Sequence, residues 1–366
     1  MRVALSGGGT AGHVYPALAV ASALRRTLAA RNEPLDLLYV GIRGRVDEQL
    51  LAGESIDFRT VRASALRVRS PLQFARGLFD LLVGSLQARG HLRRFNPQAV
   101  FATGGYASAP IAVAARLSRR PLLVYLPDIH PGWAVRMMMR LATRIAATTD
   151  ASLPYLPQSK VDVTGYPVRP GFLAAAKEEG RRRLGLSADM KTLLVAGGSQ
   201  GAHAINTLVA DNLSSLLDLC QIIHISGPAD FDSLQRRRGE LPEALQSRYH
   251  LHSYLSEEMP WAMAAADLAL CRAGASTLGE LPLMGLPAVL VPGAFSDQAV
   301  NAQYLADHGA AVALANGHIA EAVGLIEELL RDEERLQAMS AATRSLARPD
   351  AAERIASLLL EIAKDK

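Results

Sequence analysis

The sequence has few cysteines and no long apolar segment. Its two cysteines, Cys220 and Cys271, are too few for a disulfide framework or a cysteine-based zinc site. No apolar run approaches the ~18 residues that a membrane-spanning helix requires. The amino terminus reaches a glycine-rich loop at Gly7, which leaves no room for the apolar stretch of a signal peptide. We therefore expect reduced thiols and a chain that acts in the cytoplasm.

Aromatic residues are also scarce, at 5% of the chain, whereas 49% of the residues are hydrophobic and 20% are charged. This composition excludes a disordered chain and predicts aliphatic cores. The length of 366 residues exceeds the usual domain size of about 100–150 residues, so two domains are expected.

Positive charge is concentrated in the first half of the chain, and nearly all of it is arginine. Residues 1–165 contain 21 Lys and Arg against 10 Asp and Glu, a net charge of +11, whereas the remainder has a net charge of −7. This asymmetry predicts a polyanionic partner for the first half. We do not expect nucleic acid, because no Lys-rich patch is interleaved with aromatic residues.

Short apolar runs alternate with helix-length segments, which is typical of parallel strands covered on both faces. The predicted strands lie in RVALSGGG, LDLLYVGI, QAVFATGG, PLLVYLPD and RIAATTD, then, after a linker over 155–185, in KTLLVAGG, LCQIIHISG, DLALCRAG and PAVLVPG. A helix is predicted from about Pro16 to Ala29, and an amphipathic helix over 350–366. The pattern predicts two similar α/β domains in tandem.

Three glycine-rich turns follow predicted strands, where open parallel sheets bind ligands. The first, Gly7 to Gly12, fits G-x-G-x-x-G. The second strand ends near Ile42 without the acidic residue that would hold a ribose, so a dehydrogenase is disfavoured. The other two turns, over 197–202 and 272–277, each open a helix. Two helix starts suit a diphosphate, and the carboxylate of Glu280 suits a ribose diol.

Six segments, in this order, resemble the motifs of the MurG family of glycosyltransferase family 28. They are GGTAGHVYP over 8–16, TGGYAS over 103–108, GYPVR over 165–169, GGSQGA over 197–202, CRAGASTLGE over 271–280 and QAVNA over 298–302. The resemblance extends over nearly the whole chain. It implies a GT-B fold, in which two Rossmann-like α/β domains have parallel sheets that face each other across a cleft. We expect a first domain over 1–163 joined by the helix 350–366, and a second over 164–349.

The resemblance also implies an activity: inverting transfer of N-acetylglucosamine from UDP-GlcNAc to lipid I. Lipid I is undecaprenyl-diphospho-MurNAc-pentapeptide, and the product, lipid II, is a peptidoglycan precursor made at the cytoplasmic face of the membrane. The family uses no metal bound by a DxD motif, so we expect neither cofactor nor metal. The DxD of this chain, Asp230 to Asp232, is interpreted as a turn.

The family's donor-binding residues correspond to positions mainly in the second domain. The implied contacts are with the UDP diphosphate, the ribose, the sugar and the uracil. The corresponding residues are Arg169, Ser199, Gln200, Gly201, Leu255, Gly274, Ala275, Ser276, Glu280, Gln298 and Asn301. Among them, Arg169 is expected to bind phosphate, Glu280 the ribose hydroxyls, and the segment around Leu255 the uracil.

The acceptor's diphosphate is expected at the first glycine loop. The residues implied for the acceptor are Gly8, Gly9, Thr10, Gly12, Thr103, Gly104, Gly105 and Tyr106. His13 is the expected general base, because a near-neutral imidazole can take the proton of the acceptor's hydroxyl. A structural histidine that orients the loop is the alternative.

The chain departs from the family pattern at Asp128, Tyr166, His203 and Asp297. The family usually reads HEQN where this chain reads YLPD over 125–128, so Asp128 replaces an asparagine. This carboxylate either changes which hydroxyls are recognised or supplies a second base. A different donor sugar or lipid acceptor is therefore an alternative.

A basic amphipathic segment over 66–95 is expected to contact an anionic membrane surface. The implied contacts are Leu72, Phe74, Arg76, Leu78, Phe79 and Leu82, with Arg140 from a second segment. An ordinary core face is the alternative for the apolar residues. Two further functions stay open: a UDP-sugar 2-epimerase on the same fold, and an inactive UDP-sugar-binding module.

Overall fold

The computed structural model describes residues 1–8, 11–44, 46–64, 71–198, 200–293, 297–315 and 317–364. The chain divides into two compact units. The first comprises Met1–Arg169 and Pro349–Lys366, and the second comprises Pro170–Arg348. The first division therefore falls after Arg169, six residues beyond the predicted position.

The first unit contains one parallel sheet and helices that alternate with its strands along the chain. Its strands are β1 (Arg2–Ser6), β2 (Asp36–Gly41), β3 (Asp57–Thr60), β4 (Ala99–Ala102), β5 (Leu122–Leu126), β6 (Arg144–Ala147) and β7 (Val161–Val163). Its helices are α1 (Ala11–Ala29), α2 (Val46–Leu51), α3 (Pro71–Phe95), α4 (Ala109–Leu117), α5 (Trp133–Leu141) and, at the end of the chain, α17 (Ala351–Lys364).

The seven strands lie in the order β3-β2-β1-β4-β5-β6-β7, and every pairing is parallel. Interior strands such as β4 and β5 are buried at every residue, which explains their continuous apolar sequences. The final helix α17 packs against α1, where Arg26 and Glu353 form an ion pair of 2.6 Å.

The second unit repeats the arrangement with six strands. They are β8 (Thr192–Ala196), β9 (Gln221–Ile225), β10 (Tyr249–His252), β11 (Leu268–Cys271), β12 (Ala288–Leu290) and β13 (Ala311–Ala313). The helices are α6 (Pro170–Ala174), α7 (Lys177–Arg183), α8 (His203–Asp211), α9 (Leu213–Leu219), α10 (Phe231–Gly239), α11 (Glu243–Gln246), α12 (Met259–Ala265), α13 (Thr277–Met284), α14 (Gln298–Asp307), α15 (Ala322–Arg331) and α16 (Glu333–Ser345).

The strand order of the second sheet is β10-β9-β8-β11-β12-β13, again wholly parallel. In both sheets the first strand lies beside the fourth, so the strand order reverses between β1 and β4 and between β8 and β11. Ligands bind at such reversal points, beyond the carboxyl ends of the strands. Three of the glycine-rich turns, after β1, β8 and β11, and the Thr103–Gly105 segment after β4 lie at these two points.

Helix α1 begins at Ala11, earlier than the predicted start at Pro16, and it continues through this proline. Proline has no N–H to donate to the carbonyl four residues before it, here Gly12. The hydroxyl of Tyr166 donates to that carbonyl at 3.4 Å. The residue that compensates for the proline lies far away in the chain, so the sequence alone did not show that the helix begins before Pro16.

Across the residues given above, no helix combines the length and the apolar character needed to cross a membrane.

Candidate active site

The first turn of α1 presents His13 next to the segment that follows β4. The carbonyl of Thr103 accepts a hydrogen bond from Nδ1 of His13 at 3.0 Å. A carbonyl only accepts, so Nδ1 carries the proton and the neutral ring has its lone pair on Nε2. The bond thereby fixes the tautomer whose Nε2 lone pair can accept a proton, as a general base requires.

Gly104 and Gly105 pack against the His13 ring. Both have positive φ, 97° and 74°, which favours glycine. A Cβ at Gly104 would lie 3.3 Å from Cε1 and Nδ1 of the ring, and one at Gly105 would lie 3.2 Å from its Cδ2. These two predicted acceptor residues therefore shape the space around the His13 ring.

Burial lowers the pKa of His13 below its ordinary value of 6.5. The hydrogen bond to Thr103 and the charges of Asp128 and Asp47 act in the opposite direction. Because burial dominates, His13 is neutral at pH 7 and ready to accept a proton. Asp128 follows β5, and its charge acts on the same ring; the catalytic role of either residue stays a prediction.

Asp47 is a residue of this site that the sequence analysis missed. It is fully buried in the first turn of α2. Its Oδ2 accepts a weak hydrogen bond from the N–H of Ile42, 3.4 Å away. A Cβ at Gly8 would come within 2.4 Å of this oxygen, and one at Gly41 within 2.8 Å. The end of the second strand therefore does lie beside an acidic side chain, but this residue comes five positions after Ile42, in α2.

The predicted acceptor residues lie at the reversal point of the first sheet, as far as they are described. Gly8 precedes α1, Gly12 lies in its first turn, and Tyr106 begins a 3-10 helix over Tyr106–Ser108. Gly9 and Thr10 lie outside the described residues. Whether these residues bind an acceptor stays a prediction.

In the second unit, β8 runs into a loop that packs tightly against the turn after β9. Gly198 and Gly201 have positive φ, 91° and 78°. A Cβ at Gly201 would come within 2.0 Å of the Ser226 carbonyl, and one at Gly227 within 2.6 Å of Gln200. The loop leads into α8, whose N-terminus favours an anion. Ser199, a predicted donor residue, lies outside the described part of the chain.

The turn after β11 lies beside this loop, since β8 and β11 are neighbours. Gly274 accepts a hydrogen bond from Oγ1 of Thr277 at 2.6 Å, Ala275 and Ser276 follow it, and α13 begins at Thr277. Glu280 lies in the first turn of α13. Asn301 is buried and donates to the Ala273 carbonyl at 3.1 Å, which fixes the turn from α14.

Three other predicted donor residues, Gln298, Leu255 and Arg169, lie outside these two glycine-rich turns. The side chain of Gln298 accepts a hydrogen bond from the N–H of Gly293 at 2.9 Å. Leu255 is buried in the loop after β10. Arg169 belongs to the first unit, where its guanidinium lies 4.2 Å from the ring centre of Tyr15 in α1. Their contacts with a donor stay predictions.

Helix α3 carries an exposed apolar face, consisting of Phe74, Leu78, Phe79, Leu82 and Leu86. Leu82 is 59% exposed, and Trp133 at the start of α5 is 58% exposed. Arg76 and Arg140 are also exposed, whereas the side chain of Leu72 lies outside what the structure describes. The apolar residues on this face are thus not core residues, and their contact with a membrane stays a prediction.

The chain matches two domain families in the regions that contain these sites. The glycosyltransferase family 28 N-terminal domain matches residues 3–147, and the glycosyltransferase family 28 C-terminal domain matches residues 192–355. With the paired parallel sheets, these matches define a glycosyltransferase with the GT-B fold, which confirms the predicted fold class.

Relatives that match over nearly the whole chain identify the family more specifically than the domain matches do. The chain is 41% identical to the UDP-N-acetylglucosamine--N-acetylmuramyl-(pentapeptide) pyrophosphoryl-undecaprenol N-acetylglucosamine transferase of Roseiflexus sp. (strain RS-1), over 98% of this chain and 94% of the relative. The structure of Acinetobacter baumannii MurG matches with a TM-score of 0.74 and 25% identity, over 98% of this chain and 99% of the other. The chain belongs to the MurG family.

A UDP-GlcNAc 2-epimerase from Neisseria meningitidis, solved with UDP-GlcNAc bound, has a TM-score of 0.69 and 15% identity, covering 99% of this chain and 100% of the other. This likeness shows a shared fold alone and does not favour the epimerase alternative.

Proposed function

We propose that this protein transfers N-acetylglucosamine from UDP-N-acetylglucosamine to the N-acetylmuramyl-(pentapeptide) pyrophosphoryl-undecaprenol acceptor named in its relatives. This acceptor is lipid I, and the product is lipid II. The observation that carries the proposal is the fixed tautomer of His13. Its lone pair on Nε2 lies beside Gly105, at the reversal point of the first sheet and within the match to the family 28 N-terminal domain.

In the proposed reaction, Nε2 of His13 takes the proton of the acceptor's hydroxyl as its oxygen attacks the anomeric carbon. The bond between that carbon and the β-phosphate oxygen of UDP breaks, and its electron pair leaves with UDP. Attack from the face opposite the leaving group inverts the anomeric configuration. Nδ1 stays protonated and bonded to Thr103, so the imidazolium that forms is already oriented.

The leaving diphosphate gains negative charge in this step. The loop over 197–202 and the turn over 272–276 precede α8 and α13, whose N-terminal N–H groups favour an anion. Glu280 is placed one turn into α13, where it is proposed to bind the ribose hydroxyls. The loop over 197–202 is held by backbone packing against the turn after β9 and the turn over 272–276 by the side chains of Asn301 and Thr277, which limits the reorganisation that binding requires.

Transfer to a lipid-linked acceptor requires the protein to reach a membrane. We propose that the exposed apolar face of α3, with the arginines around it, associates with the cytoplasmic face of an anionic membrane. Phe79→Glu together with Leu82→Glu is expected to abolish binding to vesicles of phosphatidylglycerol. The matched control is Leu173→Glu, since Leu173 is an exposed leucine of the second unit. Equal loss in the control would contradict the proposal.

The experiment that tests the function presents the protein with UDP-GlcNAc, UDP-GalNAc or UDP-glucose and a short-chain lipid I analogue, with products identified by mass spectrometry. We expect one N-acetylhexosamine to be added, from UDP-GlcNAc only. Transfer of a different sugar would instead favour the alternative in which the carboxylate of Asp128 accompanies a changed specificity for the donor sugar. Conversion of UDP-GlcNAc to its 2-epimer without transfer would refute the proposed function.

A further inference from the structure

An apolar cavity of about 180 Å³ lies in the first unit, between α3 and the starts of α4 and α5. It is lined by Ala63, Ser64, Leu81, Tyr106, Ala109, Pro110, Trp133 and Ala134, of which only Ser64 and Tyr106 carry a hydroxyl group. Among the described residues that line it, none carries a charge. The cavity therefore suits a hydrocarbon rather than a phosphate or a carboxylate.

The cavity is close to the general base. Tyr106 directly follows Gly105, which packs on the His13 ring. On the other wall, Ala134 directly precedes Val135. A Cβ at Gly104 would lie 3.3 Å both from Cγ2 of Val135 and from the His13 ring. Two residues that line the cavity are thus chain neighbours of residues that lie beside His13.

Through Leu81, the lining of the cavity adjoins the exposed apolar face of α3. Leu78 lies three residues before Leu81 and therefore on the same side of this helix. Leu78 is exposed, and Trp133, a wall of the cavity, is more than half exposed. A ligand in the cavity would therefore extend from the region of the base towards the surface proposed to face the membrane.

The size and the lining narrow the choice of ligand. Sites for whole small molecules usually have volumes of roughly 300–1,000 Å³, so this cavity is too small for a sugar nucleotide. The described lining offers two hydroxyl groups, those of Ser64 and Tyr106, which are too few to replace the hydrogen bonds to water that the hydroxyls of a whole sugar would lose. A flexible hydrocarbon chain meets neither difficulty.

We propose that this cavity binds the first isoprene units of the polyprenyl chain of the diphosphate-linked acceptor. The proposal rests on the proposed function, because it takes the acceptor from there. It adds that the protein recognises the lipid part of its acceptor directly, in addition to any contact with the membrane. The recognised chain would lie next to the diphosphate and so help to position the sugar hydroxyl at His13.

The kinetic test uses soluble acceptors that carry one, two or three isoprene units, below their micellar concentrations and without membranes. For the wild type, we expect KM to fall roughly tenfold as the chain lengthens, because buried apolar surface stabilises the complex. Ala134→Leu fills the cavity and is expected to remove this dependence. Ala75→Leu adds the same side chain to an exposed position of α3 and is expected to keep it.

A binding test gives a readout besides activity. The chain has two tryptophans, Trp133 and Trp261, so Trp261→Phe leaves Trp133 as the reporter. Farnesyl diphosphate is expected to shift the Trp133 emission to shorter wavelength, and inorganic diphosphate is not. Ala134→Leu in the same background is expected to abolish the shift.

Two kinetic outcomes would overturn the cavity proposal while transfer itself still occurs. One is a wild-type KM that does not depend on chain length. The other is an equal rise of KM for all three acceptors in Ala134→Leu, which would mean that the cavity takes the sugar or the peptide. Absence of transfer to every acceptor would instead refute the proposed function, and the emission shift would still decide whether the cavity binds a prenyl chain.

Discussion

His13 and Thr103 are hydrogen-bonded to each other in both directions. Nδ1 of His13 donates to the Thr103 carbonyl at 3.0 Å, and Oγ1 of Thr103 donates to the His13 carbonyl at 2.6 Å. The two residues are 90 positions apart, at the start of α1 and the end of β4. The pair thus fixes both the backbone and the ring of the proposed base relative to the sheet.

Thr103→Val tests this positioning role. Valine has nearly the same shape but no hydroxyl, so the backbone at His13 loses one anchor. We expect kcat to fall about tenfold while KM for UDP-GlcNAc is unchanged, because a small misplacement of the base slows proton transfer without affecting donor binding. Thr343→Val, which removes a buried hydroxyl in α16 of the second unit, is the control. Wild-type kcat in Thr103→Val would contradict the role.

The pH dependence of turnover tests His13 as the base. His13 must be neutral to accept a proton, and its pKa is lowered by burial. The acidic limb of kcat/KM should therefore lie below pH 6.5. Asp128→Asn removes a charge that raises this pKa, so the limb should move to still lower pH with activity retained. Loss of turnover at every pH in Asp128→Asn would identify Asp128 itself as the base.

The interior of both sheets could be predicted from the sequence, whereas their edges could not. The nine predicted strands are the interior strands of the two described sheets, which are buried over most of their length and mostly apolar. The four strands without a prediction, β3, β7, β10 and β13, are the four edges. They have three or four residues each and are mostly half-exposed or exposed; β3, β7 and β10 contain charged or polar residues, and the apolar run around β13 is only six residues long.

Within the site, the glycine motifs located the residues in and next to the glycine-rich turns. They did not locate the residues that pack against these turns from elsewhere in the chain. Asp47 looks like an ordinary acidic residue in the first turn of a helix. Its burial follows from the fold, which returns α2 to the end of β2 and brings the carboxylate against Gly8. The contact between Tyr166 and Gly12 is equally invisible in the sequence, because 154 residues separate the two.

The loop after β8 gives a prediction about donor binding. Gly201 combines a φ of 78° with a close approach to the Ser226 carbonyl. Gly201→Ala is therefore expected to displace the loop and weaken UDP binding at least tenfold in calorimetry. Gly239→Ala is the control, since a Cβ at the end of α10 meets no atom within 4 Å. Unchanged UDP affinity in Gly201→Ala would show that this loop does not hold the diphosphate.

Metal independence is proposed from the surroundings of the DxD sequence. Oδ1 of Asp230 accepts a hydrogen bond from His203 at 2.9 Å, and its Oδ2 accepts one from Asn206 at 2.7 Å. These bonds, with the hydrogen bond of Asn206 to the buried His224, make Asp230 a structural link between α8 and the start of α10. Asp232→Ala is therefore expected to keep wild-type transfer, as is the wild type after dialysis against EDTA. A loss of transfer that Mg²⁺ or Mn²⁺ restores would show that the leaving diphosphate needs a metal ion in addition to the helix N-termini.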